Sequence, residues 1–472
     1  MRAPVPSIRW TIIAVVCLTF AVRFSFLVLV ARNPQRALVS DSGTYTQLAQ
    51  GILQLHEFRG SPDAGPDIHR TPGYPLFLAV LYPLSSSPVA VSILQILLTG
   101  LSASIVVWLT YRLARSSYER HTLPCSPGSP RSPGSSTPGR AVNETGVDTA
   151  PRNAALLAGI LVALDPLSAA YACLILTEHL FGVLLICATV ILIVPCLDYP
   201  SKANGRRNLY ISLSGFISAL NTIIRPIGLF VAVAQVPYLW LKARSRKVFI
   251  QAAVALLVSS LLFPALWIVR NGIATGAYTL SDIGSVNLYF YRAAAVIAEL
   301  ENRPFSEVQK ELREEIKTAT LRQRLSPPQT LHLMNRNATA ILLDHPFLVL
   351  KHATIGALRM LLGPGKAVFE QIVGTSDSKV VLPLIGWSWL HLALVYMLAA
   401  RYVFTSKQNE RWLFLATIVY FCLLSAGPEA YSRFRAPLMP VFCVMAGMGG
   451  LRLSRRGHAG GNSISHLPRE ET

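Results

Sequence analysis

The sequence predicts an all-α integral membrane protein, a bundle of about ten transmembrane helices with two long extracytoplasmic loops that carry juxtamembrane helices. Three observations predict it. The 472 residues are 52% hydrophobic and only 14% charged, against roughly 25% charged in an ordinary soluble domain, and mean hydropathy is +0.44. Apolar runs recur along the whole chain, several near the ~20 residues needed to cross ~30 Å of hydrocarbon. The basic residues lie mainly in short segments between those runs, where the positive-inside rule puts them. The net charge of +19 is therefore read as topology, and no nucleic-acid partner is expected.

The elements follow in order. The run 10–30 comes after a basic start but is long for a signal sequence and lacks a convincing small-residue cleavage site, so it is taken as the first span. Arg23 inside it either snorkels outward or faces a polar cavity. Further spans are expected at 89–113, 154–176, 180–197, 248–269, 381–400, 412–426 and 437–451. The stretch 209–241 is too long for one crossing and rather short for two. Arg206 and Arg207 precede it and Lys242, Arg244, Arg246 and Lys247 follow, so both ends prefer the cytoplasm and a hairpin with Arg225-Pro226 at its outer tip results. By the same logic Thr177-Glu178-His179 is the outer tip of the hairpin 154–197, and both termini lie inside. The apolar stretch 346–362 carries Lys351 and Arg359 two helical turns apart on one face, which suits a helix lying on the bilayer surface.

The loops are of two kinds. Residues 114–153, containing "SPGSPRSPGSSTPGR", read as a disordered cytoplasmic connection, and 453–472 as a basic cytoplasmic tail. The loops 31–88 and 270–379 are patterned. In "PFSEVQKELREEIKTATL", Ser306 and Gln309 have capping-box spacing and Val308, Leu312 and Ile316 form a narrow apolar stripe, as expected of a solvated helix packed by one edge. In "RTPGYPLFL", Pro72 and Pro75 around Gly73 prevent a regular spanning helix from starting there. The seven cysteines show no metal-ligand or disulfide spacing and are read as small packing residues.

The predicted topology places Asp41, His69, Arg70, Glu178, His179, Arg225, Arg270, Arg433 and Arg435 near one membrane face. Each has a structural reading: Asp41 in "SDSGTY" as a helix cap, Glu178 and His179 as a helix end, the arginines as headgroup anchors. Together, two carboxylates and several cations at one level form the start of a site for an anionic, lipid-attached substrate.

The motifs carry a resemblance. "SDSGTYTQLAQGI", followed by "HRTPGYPLFLAVLYPL", "LTEHLFGVLL", "IIRPIGLF", "PALWIVRNGIATG" and "YSRFRAPLMPV" in that order, resembles the polytopic GT-C glycosyltransferases, especially the bacterial relatives of protein O-mannosyltransferases and aminoarabinose transferases. The likeness spans residues 10 to about 451 and is weak through the second outer loop. It implies a GT-C-like body over residues 1–452. It also implies a polyprenyl-phosphate sugar as co-substrate and membrane lipids as surroundings. The acceptor is a glycan, lipid or protein hydroxyl, and the site faces the periplasm or exterior of a bacterial cytoplasmic membrane. Asp41 takes the place of the family's catalytic aspartate and Glu178 that of its second carboxylate; His69, Arg70, Tyr74, His179, Arg225, Arg270, Arg433 and Arg435 are expected to bind substrate. The family often has an acidic pair in the first loop, whereas Asp41 is followed here by Ser42. A divalent cation stays possible, without a complete ligand set in view.

The chemistry fits those residue types. A carboxylate removes the acceptor hydroxyl proton as general base, a role assigned to Asp41. Arginine forks hold the growing charge on the leaving phosphate, and direct displacement inverts the anomeric configuration. The alternatives are a transporter or flippase of lipid-linked sugars, which should show internal repeats and mid-membrane breaks, and a non-catalytic envelope assembly protein, which needs no ordered set of carboxylates and arginines.

Overall fold

The computed structural model describes residues 8–122, 144–198 and 204–460. Among the described residues every regular element is helical. Helix α1 (Ile8–Ala31), α2 (Ser40–Leu55), α3 (Gly73–Leu81) and α4 (Pro88–Thr122) are followed by α5 (Glu144–Ala163), α6 (Pro166–Ala172), α7 (Glu178–Asp198) and α8 (Asn204–Ile224). Then come α9 (Val231–Lys242), α10 (Arg246–Ser260) and α11 (Leu262–Thr275). At the centre, α4 packs against α1, α5, α7 and α20 (Met439–Gly460), and α18 (Ser378–Thr405) closes on α20.

Among the described residues six helices are long and apolar enough to cross a membrane, or up to eight if each bent pair is one span. This does not confirm the expected count of about ten. The 209–241 stretch does turn back at Arg225-Pro226, but Pro226–Lys242 is short and α8 opens on polar residues, while α19 (Glu410–Ser425) has only 16 residues.

The span expected at 154–176 is broken. α5 and α6 meet at 54° because Pro166 has no N–H to donate and pushes Asp165 out of helical geometry, and the Asp165 side chain then caps α6 by accepting from the Leu167 N–H at 3.2 Å. The carbonyls left over at the end of α5 are taken by Arg23, which donates to Ala163 at 2.9 Å and Val162 at 3.0 Å. Arg23 therefore points inward and is 2% exposed. α4 and α5 both reach into the stretch read as a disordered connection; residues 123–143 and 461–472, with the remainder of that connection and of the tail, lie outside the described residues.

α3 has nine residues, ~13 Å at 1.5 Å per residue, too short to cross. Gly73 lets it sit on the end of α8, since a Cβ there would lie 2.7 Å from the Ile223 carbonyl oxygen. The second long segment holds α12 (Ile283–Asn287), a π-helical turn Leu288–Ala293, α13 (Ala294–Leu300), α14 (Phe305–Gln323), α15 (Pro327–Asp344), α16 (Pro346–Leu362) and α17 (Lys366–Val373). Val308, Leu312 and Ile316 are buried as the stripe predicted, against Tyr289, Phe290, Met334 and Ala338. The expected capping box does not form: α14 starts two residues early, after Pro304, and Gln309 instead donates to the Phe290 carbonyl at 2.9 Å. α15 and α16 meet at 99°, which brings the C-terminal end of α16 beside the 3-10 turn Ser432–Leu438.

Candidate active site

Two distant chain segments are stitched together before any charge is considered. The Ile175 N–H donates to the Ala37 carbonyl at 2.9 Å. Ser42 Oγ accepts from the Val39 N–H at 3.0 Å and donates to the Ile175 carbonyl at 2.9 Å. The serine beside Asp41 thus ties the start of α2 to the strip leading into α7. That strip is held from behind by Gln95, whose amide donates to Leu174 at 2.6 Å and Ala172 at 3.2 Å while its oxygen accepts from Tyr74 Oη at 2.9 Å. Asp41 and Glu178 consequently lie in the first turns of α2 and α7, where helix dipoles favour a negative charge.

Three arginines from three other elements meet them. Arg433, on the 3-10 turn, bridges the pair: Nη1 donates to Asp41 Oδ2 at 2.6 Å and Nε to Glu178 Oε1. Arg225, extended because proline follows it, donates to Glu178 Oε1 at 2.6 Å. Arg70 donates to Asp41 Oδ1 at 2.7 Å, lies 4.8 Å over the Tyr45 ring, and is aimed by its own N–H bonding Asp67 at 2.9 Å. Three guanidinium groups against two carboxylates leave one positive charge. Burial alone raises the Asp41 pKa, but Arg433 and Arg70 outweigh it and hold the carboxyl well below the usual carboxylate range.

A cavity of about 310 Å³ opens beside the cluster, lined in part by Ser40, Tyr171, Arg359, Lys366, Tyr431 and Arg433. A smaller one of about 30 Å³ lies behind Glu178, between Arg23, Ser168 and His179.

The remaining expected residues lie around this centre. His69 Nδ1 contacts Asp282 Oδ1 at 2.5 Å. Arg270 donates to the Asp67 carbonyl at 2.9 Å and stacks 4.7 Å from Trp267, binding the first loop to α11. Tyr74 acts through Gln95, and His179 faces the small cavity. Arg435, 1% exposed, spends its guanidinium on the carbonyls of Met360, Leu361 and Gly363 at 3.0, 2.6 and 3.1 Å, which close the end of α16. Sequence reasoning missed Tyr45 and Tyr431, whose hydroxyl accepts from Arg433 at 3.0 Å, though both lie inside the quoted motifs; Arg359 and Lys366 carried no local signal. Among the described residues no group of three or more His, Cys, Asp or Glu side chains gathers as a metal-binding set.

No family model and no curated protein matches the sequence. Solved structures do. An oligosaccharyltransferase from Archaeoglobus fulgidus, tethered to an acceptor peptide, superposes with a TM-score of 0.51 at 12% identity, over 98% of this chain and 52% of its own. The fold is GT-C-like. The oligosaccharyltransferase AglB of the same organism, in complex with an inhibitory peptide and a dolichol-phosphate, gives 0.49 at 12% identity over 98% and 53%. ArnT from Cupriavidus metallidurans bound to undecaprenyl phosphate gives 0.41 at 13% over 97% and 80%. The chain spans about half the length of the oligosaccharyltransferases it matches. In this GT-C-like body the carboxylate–arginine cluster stands at the ends of α2, α7 and α8, and the apolar helices make the chain an integral membrane protein.

Proposed function

We propose that the protein is a membrane glycosyltransferase that moves a sugar from a polyprenyl-phosphate donor to an acceptor hydroxyl, on the extracytoplasmic face of a bacterial cytoplasmic membrane. One observation carries this reading: Arg433 bridges Asp41 and Glu178 beside a cavity of about 310 Å³. The surplus positive charge matches the single negative charge of a phosphodiester donor.

The acceptor oxygen forms a bond to the anomeric carbon while the bond from that carbon to the phosphate oxygen breaks. The hydroxyl proton goes to Asp41 and the electron pair leaves with polyprenyl phosphate, held by Arg433, Arg225 and Arg70. Displacement from the opposite face inverts the anomeric centre. The arginines also govern timing. While Arg433 and Arg70 sit on Asp41 its carboxylate is a weak base. A donor phosphate competing for those forks releases it, so basicity returns when the donor is in place. Glu178, its side chain fully buried, keeps Arg433 and Arg225 aimed. The acceptor is a glycan, lipid or protein hydroxyl.

The test is release of polyprenyl phosphate from a panel of polyprenyl-phosphate sugars by purified protein with native membrane extract as acceptor source. Wild type releases it and Asp41→Asn loses about 10²–10⁴-fold. Equal release by both proteins removes Asp41 as base, and release by neither, from folded protein, overturns the transferase reading.

A further inference from the structure

The end of the bundle remote from Asp41 carries a second concentration of cations. α7 finishes, α8 begins, α9 finishes and α10 begins around a cavity of about 250 Å³, lined by Arg207, Lys242 and Arg244 on its polar side and by Ile211, Leu239 and Ala252 on its apolar side. Among the described residues these charges are not balanced. Glu410, with a fully buried side chain, pairs with Lys242 at 2.7 Å and accepts from Tyr238 Oη at 3.3 Å, which satisfies the lysine. Arg207 has no such partner: its Nε and Nη2 are shut away from solvent with no acceptor among the described residues. Arg244 is exposed at the rim. Among the described residues, then, two guanidinium groups face one cavity without a carboxylate partner, and the shut-away nitrogens of Arg207 make this costly unless an anion completes it.

We propose that this cavity is a second anion site, distinct from the catalytic one, which takes the phosphate headgroup of an anionic lipid in the cytoplasmic leaflet. A phosphate presents oxygens in the geometry that a planar guanidinium fork binds bidentately. The lipid assignment rests on the surroundings. The inner wall is apolar, and Leu209 and Trp240, 68% and 58% exposed, flank it on the outer surface of the bundle, as apolar and interfacial aromatic residues do at the level of lipid headgroups. Basic pockets between spans on the cytoplasmic side are favourable places for such headgroups. The proposal is independent of the transferase chemistry, because none of these residues lies near Asp41.

The experiment is native mass spectrometry of the full-length protein, purified in detergent and offered equal amounts of phosphatidylglycerol and phosphatidylcholine. Wild type should retain one phosphatidylglycerol in preference, and Arg207→Gln with Arg244→Gln should lower that preference about tenfold or more, as expected when charge-assisted contacts are lost. Ile211→Trp, which fills the cavity without altering charge, should lower it too, while Arg433→Gln at the other end leaves it unchanged. Displacement of the retained lipid by inorganic phosphate would transfer the site to a soluble phosphate and overturn the lipid assignment. Equal retention of both lipids by wild type, or an undiminished preference in the filled and charge-stripped variants, overturns the site itself.

Discussion

The arginines around α2 and α7 and the arginines at helix ends face different partners. Arg70, Arg225 and Arg433 lie on carboxylates, whereas Arg23 and Arg435 lie on backbone carbonyls. Arg433 and Arg435 are two residues apart on one 3-10 turn and fall into opposite groups. A guanidinium held by a carboxylate can be handed to a phosphate with little change in its charge environment. One held by the last carbonyls of a helix has no substitute, because those acceptors are already turned away from water. Proximity to the site is therefore a poor guide to role.

The contrast breaks most directly at the turn. Arg433→Gln should lower transfer about 10²–10³-fold, since it removes the donor shared by both carboxylates. Arg435→Gln should leave kcat within about tenfold once folded protein is compared, yet cost about 1–3 kcal/mol for each carbonyl left unmet; paired thermal unfolding and single-turnover assays separate the two. A larger catalytic loss for Arg435 than for Arg433 would reverse the assignment. Arg23→Gln should behave as Arg435 does, with lowered melting temperature and unchanged donor affinity by titration. Arg70→Lys keeps the charge but not the fork, and a rise in KM of about tenfold with a smaller change in kcat is expected. His69→Ala, which touches Asp282 rather than the cluster, should alter activity least, by less than about threefold.

Acid sharpens the same comparison. The folded Asp41 carboxyl titrates below its unfolded counterpart, so its stabilisation is complete above the ordinary carboxylate pKa of ~3.9 and is lost as pH falls below it. The melting-temperature gap between wild type and Asp41→Asn should stay constant down to about pH 5 and shrink below about pH 4. The gap between wild type and Arg435→Gln should show no such step, because carbonyls do not titrate.

Composition, apolar runs and interrupting charges determined the all-α membrane class, the reversal at Arg225-Pro226 and the buried stripe of α14, because all of these are local properties of helices and of the bilayer they meet. The collection of Asp41, Arg70, Glu178, Arg225 and Arg433 at one face was also legible, through topology. Tertiary structure alone decided the pairing. Asp41 and Arg433 are 392 residues apart, and nothing in "YSRFRAP" distinguishes the arginine that bridges two carboxylates from the one that closes α16. The break at Asp165-Pro166 was written in the sequence as a proline, but its consequence, a pair of carbonyls that captures Arg23, depends on which helix passes beside it. Periodicity and hydropathy report what a segment does against solvent or lipid; the partner of a buried charge is settled by long-range packing, which neither quantity contains.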